Sequence, residues 1–258
     1  MAVNIYDELD ALKLQLAATN RETASLAVRV GELEAGAAPP QPQVGVVSYF
    51  RTPALWDALI ASKPAVSLIN PGSGPGPSPD SLYVTLVPRL KAASIPVYGY
   101  VHTKYGTRPI AEVKADIANH KMWYGIDGIF VDTVSTQPQL LPYYRDLCSF
   151  LRSLGLKIVL NPGSSGPEEL AQIADYVVVA ENYWRIYQTQ PRPAWEAKYP
   201  GKLWHMVHEC PAAEMAAAVN RMKSNGAGLL YVTDDIMPNP WNTLPPYYAQ
   251  FVAAVAAP

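Results

Sequence analysis

Carboxylate and amide side chains recur in the second part of this 258-residue sequence, each directly after a short apolar run. The clearest run is GIFVD at 128–132, which is bounded by glycine, too short for a helix, and ends on Asp132. Comparable runs end at Asn161 and Glu181. Such runs predict buried parallel strands, and barrel enzymes place reacting groups at the C-terminal ends of these strands. Because a lone strand-end aspartate is also a common turn or cap residue, the functional interpretation depends on the repetition.

The residue types at the predicted strand ends are those of a sugar site. Carboxylates do acid and base work on a glycosidic bond, amides grip hydroxyl groups, and flat rings stack on pyranose faces. The strand-end candidates are Tyr49, Asn70, His102, Asp132, Asn161, Glu181, His208, Asp234 and Asp235. The candidate rings in the loops that follow are Tyr105, Tyr183, Trp184 and Trp241.

Two other hydrolytic chemistries have less support in the sequence than a sugar site. His102, His208 and Asp132 could ligate a metal, but the sequence has no HxH or HExxH spacing, so we predict no metal. A Ser-His-Asp site lacks its Gly-x-Ser-x-Gly turn. No Gly-x-Gly-x-x-Gly follows the first predicted strand and no phosphate loop is present, so we predict no cofactor.

Residues 44–258 alternate predicted strands and helices eight times. The predicted strands are 44–50, 65–70, 96–103, 128–132, 157–163, 176–182, 203–210 and 227–235. Eight strand–helix units in about 215 residues predict an α/β fold of the (β/α)8 TIM-barrel type, in which all strand ends face one mouth. A doubly wound open sheet is the alternative.

Composition bounds the partners. Half of the residues are apolar and the net charge is only −2, so we expect neither a nucleic-acid partner nor insertion into a membrane. The absence of an 18-residue apolar run and the charged N-terminus predict a soluble protein without a signal peptide. Cys148 and Cys210 are too few for a disulfide framework.

The first 43 residues predict a separate unit. Apolar residues or threonines recur at 4-3-4-3 spacing over residues 1–35, which predicts an α-helical coiled coil. The a positions are Leu9, Leu16, Thr23 and Val30, and the d positions are Ile5, Leu12, Thr19, Leu26 and Leu33. A Gly/Ala/Pro/Gln linker follows at 36–43. A single helix docked on the barrel is the alternative, and self-association as a trimer is favoured over a dimer.

Several segments together resemble the spherulation-specific family 4, or spherulin-4-like, proteins, which are grouped with the glycoside hydrolases of family 135. They are NPGSGPG at 70–76, GYVHTKYGTR at 99–108, the segment 123–132, NPG at 161–163 and AEN at 180–182. The resemblance runs through most of residues 44–235 and leaves out the heptads. It implies a (β/α)8 barrel that cleaves α-1,4-linked galactosamine or N-acetylgalactosamine polymers internally, without cofactor or metal.

The resemblance also implies roles for individual residues. Asp132 matches the acid that ends the fourth strand, and Glu181 the acid that ends the sixth. The family usually has Asp-Glu at the fourth strand, whereas this chain has Asp132-Thr133, and a threonine hydroxyl cannot act as a general acid at neutral pH. We therefore expect Asp132 as nucleophile or charge stabiliser and Glu181 as acid/base, with Asp235 or Glu209 as a reserve donor. The predicted substrate-binding residues are Tyr49, Asn70, His102, Tyr105, Asn161, Tyr183, His208, Asp235 and Trp241.

Three functions follow as hypotheses. The first is an endo-acting glycoside hydrolase that trims an amino-sugar-containing surface polysaccharide. The second, which Thr133 permits, is a carbohydrate-binding module derived from such a hydrolase. The third is a structural scaffold. A leaderless start, a heptad stalk and a glycan-active barrel are typical of bacteriophage tail appendages, so a virion location with tail-protein partners is favoured over an extracellular enzyme exported without a signal peptide.

Overall fold

The computed structural model describes residues 41–258, and this part of the chain forms a closed barrel of eight parallel strands in sequence order. The strands are β1 Gln43–Val47, β2 Val66–Ile69, β3 Val97–His102, β4 Gly128–Asp132, β5 Lys157–Leu160, β6 Tyr176–Tyr183, β7 Leu203–His208 and β8 Ala227–Val232. Strand β1 pairs with both β2 and β8, which closes the barrel. The predicted (β/α)8 fold is confirmed, and the open doubly wound sheet is wrong.

Helices follow the strands around the barrel. They are α1 Pro53–Ser62, α2 Ser81–Ala92, α3 Ile110–Tyr124, α4 Leu141–Ser153, α5 Glu169–Ile173, α6 Trp184–Tyr187, α7 Met215–Ser224 and α8 Tyr248–Ala256, with 3-10 turns at Pro138–Leu140, Ala194–Lys198 and Ala212–Glu214. Within residues 41–258, none of these helices has the length and apolarity needed to cross a bilayer. The predicted coiled coil at 1–35, and linker residues 36–40, lie outside the described residues.

Local signals in the sequence explain where several helices begin and end. Pro53 occupies the first turn of α1, where its missing N–H costs nothing. Asp80 caps α2 by accepting a 2.9 Å hydrogen bond from the backbone N–H of Leu82. Gly125 ends α3 in the left-handed region, with φ of 60°. In α4 the buried residues, Tyr144, Leu147, Cys148 and Leu151, form one stripe at helical spacing.

Large rings fill the barrel interior beneath the mouth. The indole of Trp204 occupies space beside Gly45, where an added Cβ would lie 2.8 Å from the ring. The ring of Phe130 meets that of Trp204 edge to face, with 5.6 Å between centroids, and stacks on Tyr100 at 6.4 Å. These rings give the strand-end polar groups a closed apolar floor.

Candidate active site

The carboxyl ends of β4, β5 and β6 bring three polar side chains to one cavity at the barrel mouth. Asp132 is the last residue of β4, Asn161 follows β5, and Glu181 lies near the end of β6. The cavity has a volume of about 360 Å³. It is lined by Val47, Tyr49, Asn70, Ser73, Tyr100, Phe130, Asp132, Asn161, Glu181, Met206 and the segment 237–241.

The amide of Asn161 joins the two carboxyl groups. Its Nδ2 donates hydrogen bonds of 2.8 Å to Asp132 Oδ1 and 2.8 Å to Glu181 Oε2. Its Oδ1 accepts a 2.8 Å hydrogen bond from the backbone N–H of Gly163, which fixes which end of the amide faces the acids. Because both acid oxygens contact one nitrogen, they lie no farther apart than twice 2.8 Å, about 5.6 Å.

Each carboxyl group receives a second hydrogen bond on its other oxygen. The hydroxyl of Tyr100 donates to Asp132 Oδ2 at 2.6 Å, and the indole N–H of Trp241 donates to Glu181 Oε1 at 3.1 Å. The five side chains therefore form one connected chain from Tyr100 to Trp241. Both acids are held in fixed orientations before any substrate arrives, which is what preorganised acid/base and nucleophilic chemistry requires.

The electrostatics of the cavity favour a proton on Glu181. Burial raises the pKa of Glu181 above its ordinary value, the neighbouring charge of Asp132 adds to the rise, and the hydrogen bonds from Asn161 and Trp241 oppose it. The pKa of Tyr49 is raised as well, chiefly by burial and then by the charge of Asp132. A carboxyl group with a raised pKa beside a second acid is the arrangement from which general acids are built.

Thr133 turns away from this cavity. Its φ of 50° places it in the left-handed region, which is strained for a β-branched residue. Its Oγ1 donates to the carbonyl of Asp132 at 2.8 Å and accepts from the backbone N–H of Lys104 at 2.9 Å. Within residues 41–258 the cavity is thus lined by two carboxylates, those of Asp132 and Glu181, and Thr133 adds no polar group to it.

The predicted substrate-binding residues divide into two groups. Tyr49, Asn70, Asn161 and Trp241 line the cavity together with the two acids. The other five lie outside its lining: His102, Tyr105, Tyr183, His208 and Asp235. The structure therefore brings six of the eleven predicted site residues together, and the roles assigned to all eleven remain predictions.

The five residues outside the lining differ in exposure and in their contacts. Tyr105 is 61% exposed, and its backbone N–H donates to the carbonyl of Thr133 at 2.7 Å. His208 is buried, with the ring of Tyr183 4.5 Å and that of Trp241 5.9 Å from its own. It therefore supports the indole that contacts Glu181. Burial lowers the pKa of His208, which favours a neutral ring there.

His102 and Asp235 make different local contacts. His102 pairs in register with Asp132 on the neighbouring strand, and burial lowers the pKa of its imidazole. Asp235 turns its Oδ1 back to the backbone N–H of Ile236 at 2.9 Å. Neither Asp235 nor Glu209, the two suggested reserve donors, is among the cavity-lining residues.

Sequence reasoning missed several of the lining residues. Tyr100 pairs in register with Phe130 of the neighbouring strand, and Phe130 lies on the same face of β4 as Asp132, so strand periodicity could have placed both on the cavity side. Phe130 precedes Asp132 by two positions. Ser73 and residues 237–240 lie in loops, and loop residues follow no periodic sequence pattern that could predict their position.

Arg108 and the candidate metal ligands have other places in the structure. Arg108 pairs with Asp116 at 2.6 Å and with Glu112 at 3.5 Å, and both of these acids lie on α3. In the described part of the chain, no group of three or more His, Cys, Asp or Glu side chains is arranged to hold a metal ion. Cys148 and Cys210 are buried and free.

Comparison with known proteins gives a family match over nearly all of the barrel. The model of the family described as "Spherulation-specific family 4" matches residues 46–255. Spherulin-4 of Physarum polycephalum is 34% identical over 227 residues, an alignment that covers 81% of this chain and 68% of that protein.

Solved structures share the barrel. The crystal structure of Aspergillus clavatus Sph3 in complex with GalNAc aligns with a TM-score of 0.72 and 24% identity, covering 84% of this chain and 98% of Sph3. A chitinase from Chromobacterium violaceum aligns with a TM-score of 0.58 and 12% identity, covering 83% of this chain and all of that one (100%). At these identities the likeness establishes a common fold.

Proposed function

The chain belongs to the spherulation-specific family 4, and from this membership and the geometry of its cavity we propose that it is an endo-acting glycoside hydrolase. The observation that carries the proposal is the single amide of Asn161 that holds Asp132 and Glu181 together at the barrel mouth. Two carboxyl groups on one cavity are the minimum that glycoside hydrolysis requires.

The spacing of the acids supports a two-step mechanism that retains configuration. Retaining enzymes hold their carboxyl groups about 5–5.5 Å apart, and inverting enzymes about 6.5–9.5 Å apart. The Asp132 and Glu181 oxygens, both 2.8 Å from Asn161 Nδ2, fall in the first class. Asp132 attacks the anomeric carbon while Glu181 gives its proton to the leaving oxygen. Glu181 then takes a proton from water, which displaces Asp132 and releases the sugar.

The cavity favours a neutral or amino sugar over an acidic one. Among the described residues that line it, two are carboxylates and none is lysine or arginine, so a uronate would meet repulsion without a compensating cation. The relative Sph3 was crystallised with GalNAc. We therefore propose that the substrate is a surface polysaccharide that contains N-acetylgalactosamine.

Release of reducing ends from an N-acetylgalactosamine polymer tests catalysis directly. We expect release by the wild-type chain and loss of at least about 1,000-fold in kcat for Asp132→Asn and for Glu181→Gln, because each removes one of two acids. Glu112→Gln is the matched control, since Glu112 is 60% exposed on α3. The proposal would be contradicted if Asp132→Asn and Glu181→Gln released reducing ends as fast as Glu112→Gln and the wild-type chain.

A non-catalytic carbohydrate-binding module is the second candidate, and the observation that favours it is Thr133. The family's usual second acid at this strand end is absent, and the hydroxyl that replaces it bonds to backbone groups. Isothermal titration with oligosaccharides of N-acetylgalactosamine separates the two readings. Binding by the wild-type chain without release of reducing ends would support the module, and absence of both would favour the scaffold.

We also propose that residues 1–35, which lie outside the described residues, form a trimeric coiled coil on a virion appendage. The heptad spacing of the sequence and the proline-containing linker support this assembly. Light scattering of the full chain and of a chain lacking residues 1–43 tests it. We expect the full chain to have three times the monomer mass and the shortened chain to have the monomer mass. A monomer mass for both chains would contradict the coiled-coil proposal.

A further inference from the structure

Strand β6 contains an extra residue two positions before Glu181. The register between β6 and β7 shifts between Val178 and Ala180, so Val179 has no residue opposite it. A bulge of this kind bends its strand and re-aims the side chains that follow, and such bulges are frequent beside active sites. The direction in which the Glu181 carboxyl points therefore depends on how this bulge is held.

A partly buried arginine, Arg192, contacts the bulge through its side chain. The carbonyl of Val179 accepts a 3.1 Å hydrogen bond from Arg192 Nη2. Arg192 also contacts Glu196 twice, through Nε to Oε2 and through Nη2 to Oε1, both at 2.8 Å. The side chains are 13% and 3% exposed, so solvent screens this ion pair little. Two parallel bonds orient the guanidinium plane as well as its charge.

Ser165 connects this pair to the loop that carries Asn161. Its hydroxyl donates to Glu196 Oε1 at 2.6 Å and lies 3.5 Å from the carbonyl of Val179. A hydroxyl has one hydrogen, so the shorter contact is the bond and Arg192 remains the donor to the bulge. The same loop meets β6 again just beyond the bulge, where the backbone N–H of Glu181 donates to the carbonyl of Gly163 at 3.0 Å.

We propose that Arg192, Glu196 and Ser165 form a positioning cluster that fixes the β6 bulge and thereby aims the Glu181 carboxyl at Asn161 and Asp132. A buried ion pair adds little net stability compared with apolar side chains of similar size. The contribution of this pair is therefore to fix the orientation of the Arg192 guanidinium against the Val179 carbonyl. None of the three residues lines the cavity, so they act on the reaction through Glu181. The kinetic consequences rest on the proposed hydrolase function, whereas the structural consequence does not.

The double variant Arg192→Met with Glu196→Leu removes both charges together, so neither is left buried without its partner. We expect kcat to fall on the order of 100-fold, as for a reacting group misplaced by about 1 Å, with KM changed less than about threefold. The matched control is Lys198→Met with Glu168→Gln. It breaks the pair between Glu168 and Lys198, a lysine on the same 3-10 turn as Glu196 whose side chain is 64% exposed, and we expect unchanged kinetics.

Titration of Glu181 provides a readout that a merely structural role would not move. Carbon-13 NMR of carboxyl-labelled glutamate follows this group, which the Glu181→Gln variant identifies by its missing signal. We expect the midpoint of the Glu181 titration to differ from that of the wild type in the Arg192/Glu196 variant. In the Lys198/Glu168 control the midpoint should be the same as in the wild type. A lower melting temperature with an unchanged Glu181 midpoint and unchanged kcat would overturn the proposal.

Arg192→Lys keeps the positive charge, and it provides the test if the double variant does not fold. An ammonium lacks the planar fork, so we expect a folded protein with kcat reduced about tenfold and a displaced Glu181 midpoint. An Arg192→Lys protein that matches the wild type in both would overturn the proposal. If the wild-type chain released no sugar, only the proposed hydrolase function would fail. The NMR titration would still test whether the cluster positions Glu181.

Discussion

Trp241 Nε1 donates a 3.1 Å hydrogen bond to Glu181 Oε1, the oxygen that Asn161 leaves free. The indole comes from the loop after β8, whereas the acid comes from β6, so a loop residue completes the environment of a strand-end carboxyl. A donor to the charged form of an acid lowers its pKa, and here it opposes the rise that burial causes in the pKa of Glu181.

Replacement of that indole should therefore shift the pH dependence of the reaction. Trp241→Phe keeps an aromatic ring and removes the donor, so the pKa of Glu181 should rise further above its ordinary value. Because a general acid works only while protonated, the alkaline limb of kcat/KM should move to higher pH, and the plateau should fall about tenfold for the lost hydrogen bond.

The pH profile of kcat/KM for Trp241→Phe, measured beside that of Trp195→Phe, checks this expectation. Trp195 belongs to the 3-10 turn Ala194–Lys198 and does not line the cavity, so its variant should keep the wild-type profile. A limb that stays in place or moves to lower pH in Trp241→Phe would contradict the assignment of Glu181 as the acid.

The amide of Asn161 should matter more to turnover than to binding. Asn161→Ala removes both hydrogen bonds that hold the acids in one geometry, so the nucleophile and the proton donor lose their fixed relative position. We expect kcat to fall on the order of 100-fold, with KM changed less than about fivefold. Steady-state kinetics on the N-acetylgalactosamine polymer measures both.

Asn220→Ala is the control for the Asn161 variant. Asn220 is exposed on α7 and is not among the cavity-lining residues, so its variant should match the wild type. If Asn161→Ala raised KM strongly while leaving kcat unchanged, Asn161 would be a simple substrate grip, as the sequence first suggested.

The barrel and its acids could be predicted from the sequence for a physical reason. Parallel strands buried on both faces are short apolar runs, and their ends carry the polar residues of one mouth. Helix α1 begins at Pro53, because the fixed φ of proline and its missing N–H suit the first turn of a helix. Strand β5 is shorter than predicted, since it ends at Leu160 and the predicted residues up to Gly163 belong to a loop.

What the sequence could not provide is the direction of side chains beyond the strands. Position at a strand end predicted Asn161 as a grip for hydroxyl groups, but its role between the acids depends on the turn in which Gly163 N–H fixes its amide. Thr133 stands beside Asp132 in sequence, yet a left-handed backbone turns its hydroxyl to Lys104. Loop backbone of this kind follows no periodic pattern.

Tyr100, which sequence reasoning passed over, should affect the acid on β4. Tyr100→Phe removes the 2.6 Å hydrogen bond to Asp132 Oδ2 and leaves the ring in place. We expect kcat to fall about tenfold, because a hydrogen bond to a charged group is worth about 1.5–3 kcal/mol and part of it is replaced by solvent. The melting temperature should change little, since the ring still stacks on Phe130.

Tyr98→Phe is the matched control for Tyr100. Tyr98 is buried two residues earlier on the same strand and does not line the cavity. Kinetics and thermal melting of the two variants should therefore separate a catalytic contact from a packing contact. An equal loss of activity in both would point to general damage to β3.

The stereochemistry of the product tests the distance between the acids. With Asp132 and Glu181 oxygens within about 5.6 Å, no water fits between acid and sugar for direct displacement, and the product should keep the anomeric configuration of the substrate. Proton NMR of the newly released reducing end, recorded before mutarotation, reads this directly. A product of opposite configuration would exclude Asp132 as nucleophile.

Azide distinguishes the two acids within the retaining mechanism. In Asp132→Ala, azide can enter the space of the missing carboxylate and attack the anomeric carbon, which gives a glycosyl azide of inverted configuration. In Glu181→Ala, azide instead displaces Asp132 from the covalent intermediate, which gives a glycosyl azide of retained configuration. The substrate is an aryl glycoside of N-acetylgalactosamine whose phenolate leaves without a proton, so the covalent intermediate still forms in Glu181→Ala. We expect azide to raise the rate of each variant at least about tenfold over its own value without azide. Opposite configurations from the two variants would fix their roles, and exchanged configurations would mean that Glu181 attacks and Asp132 carries the proton.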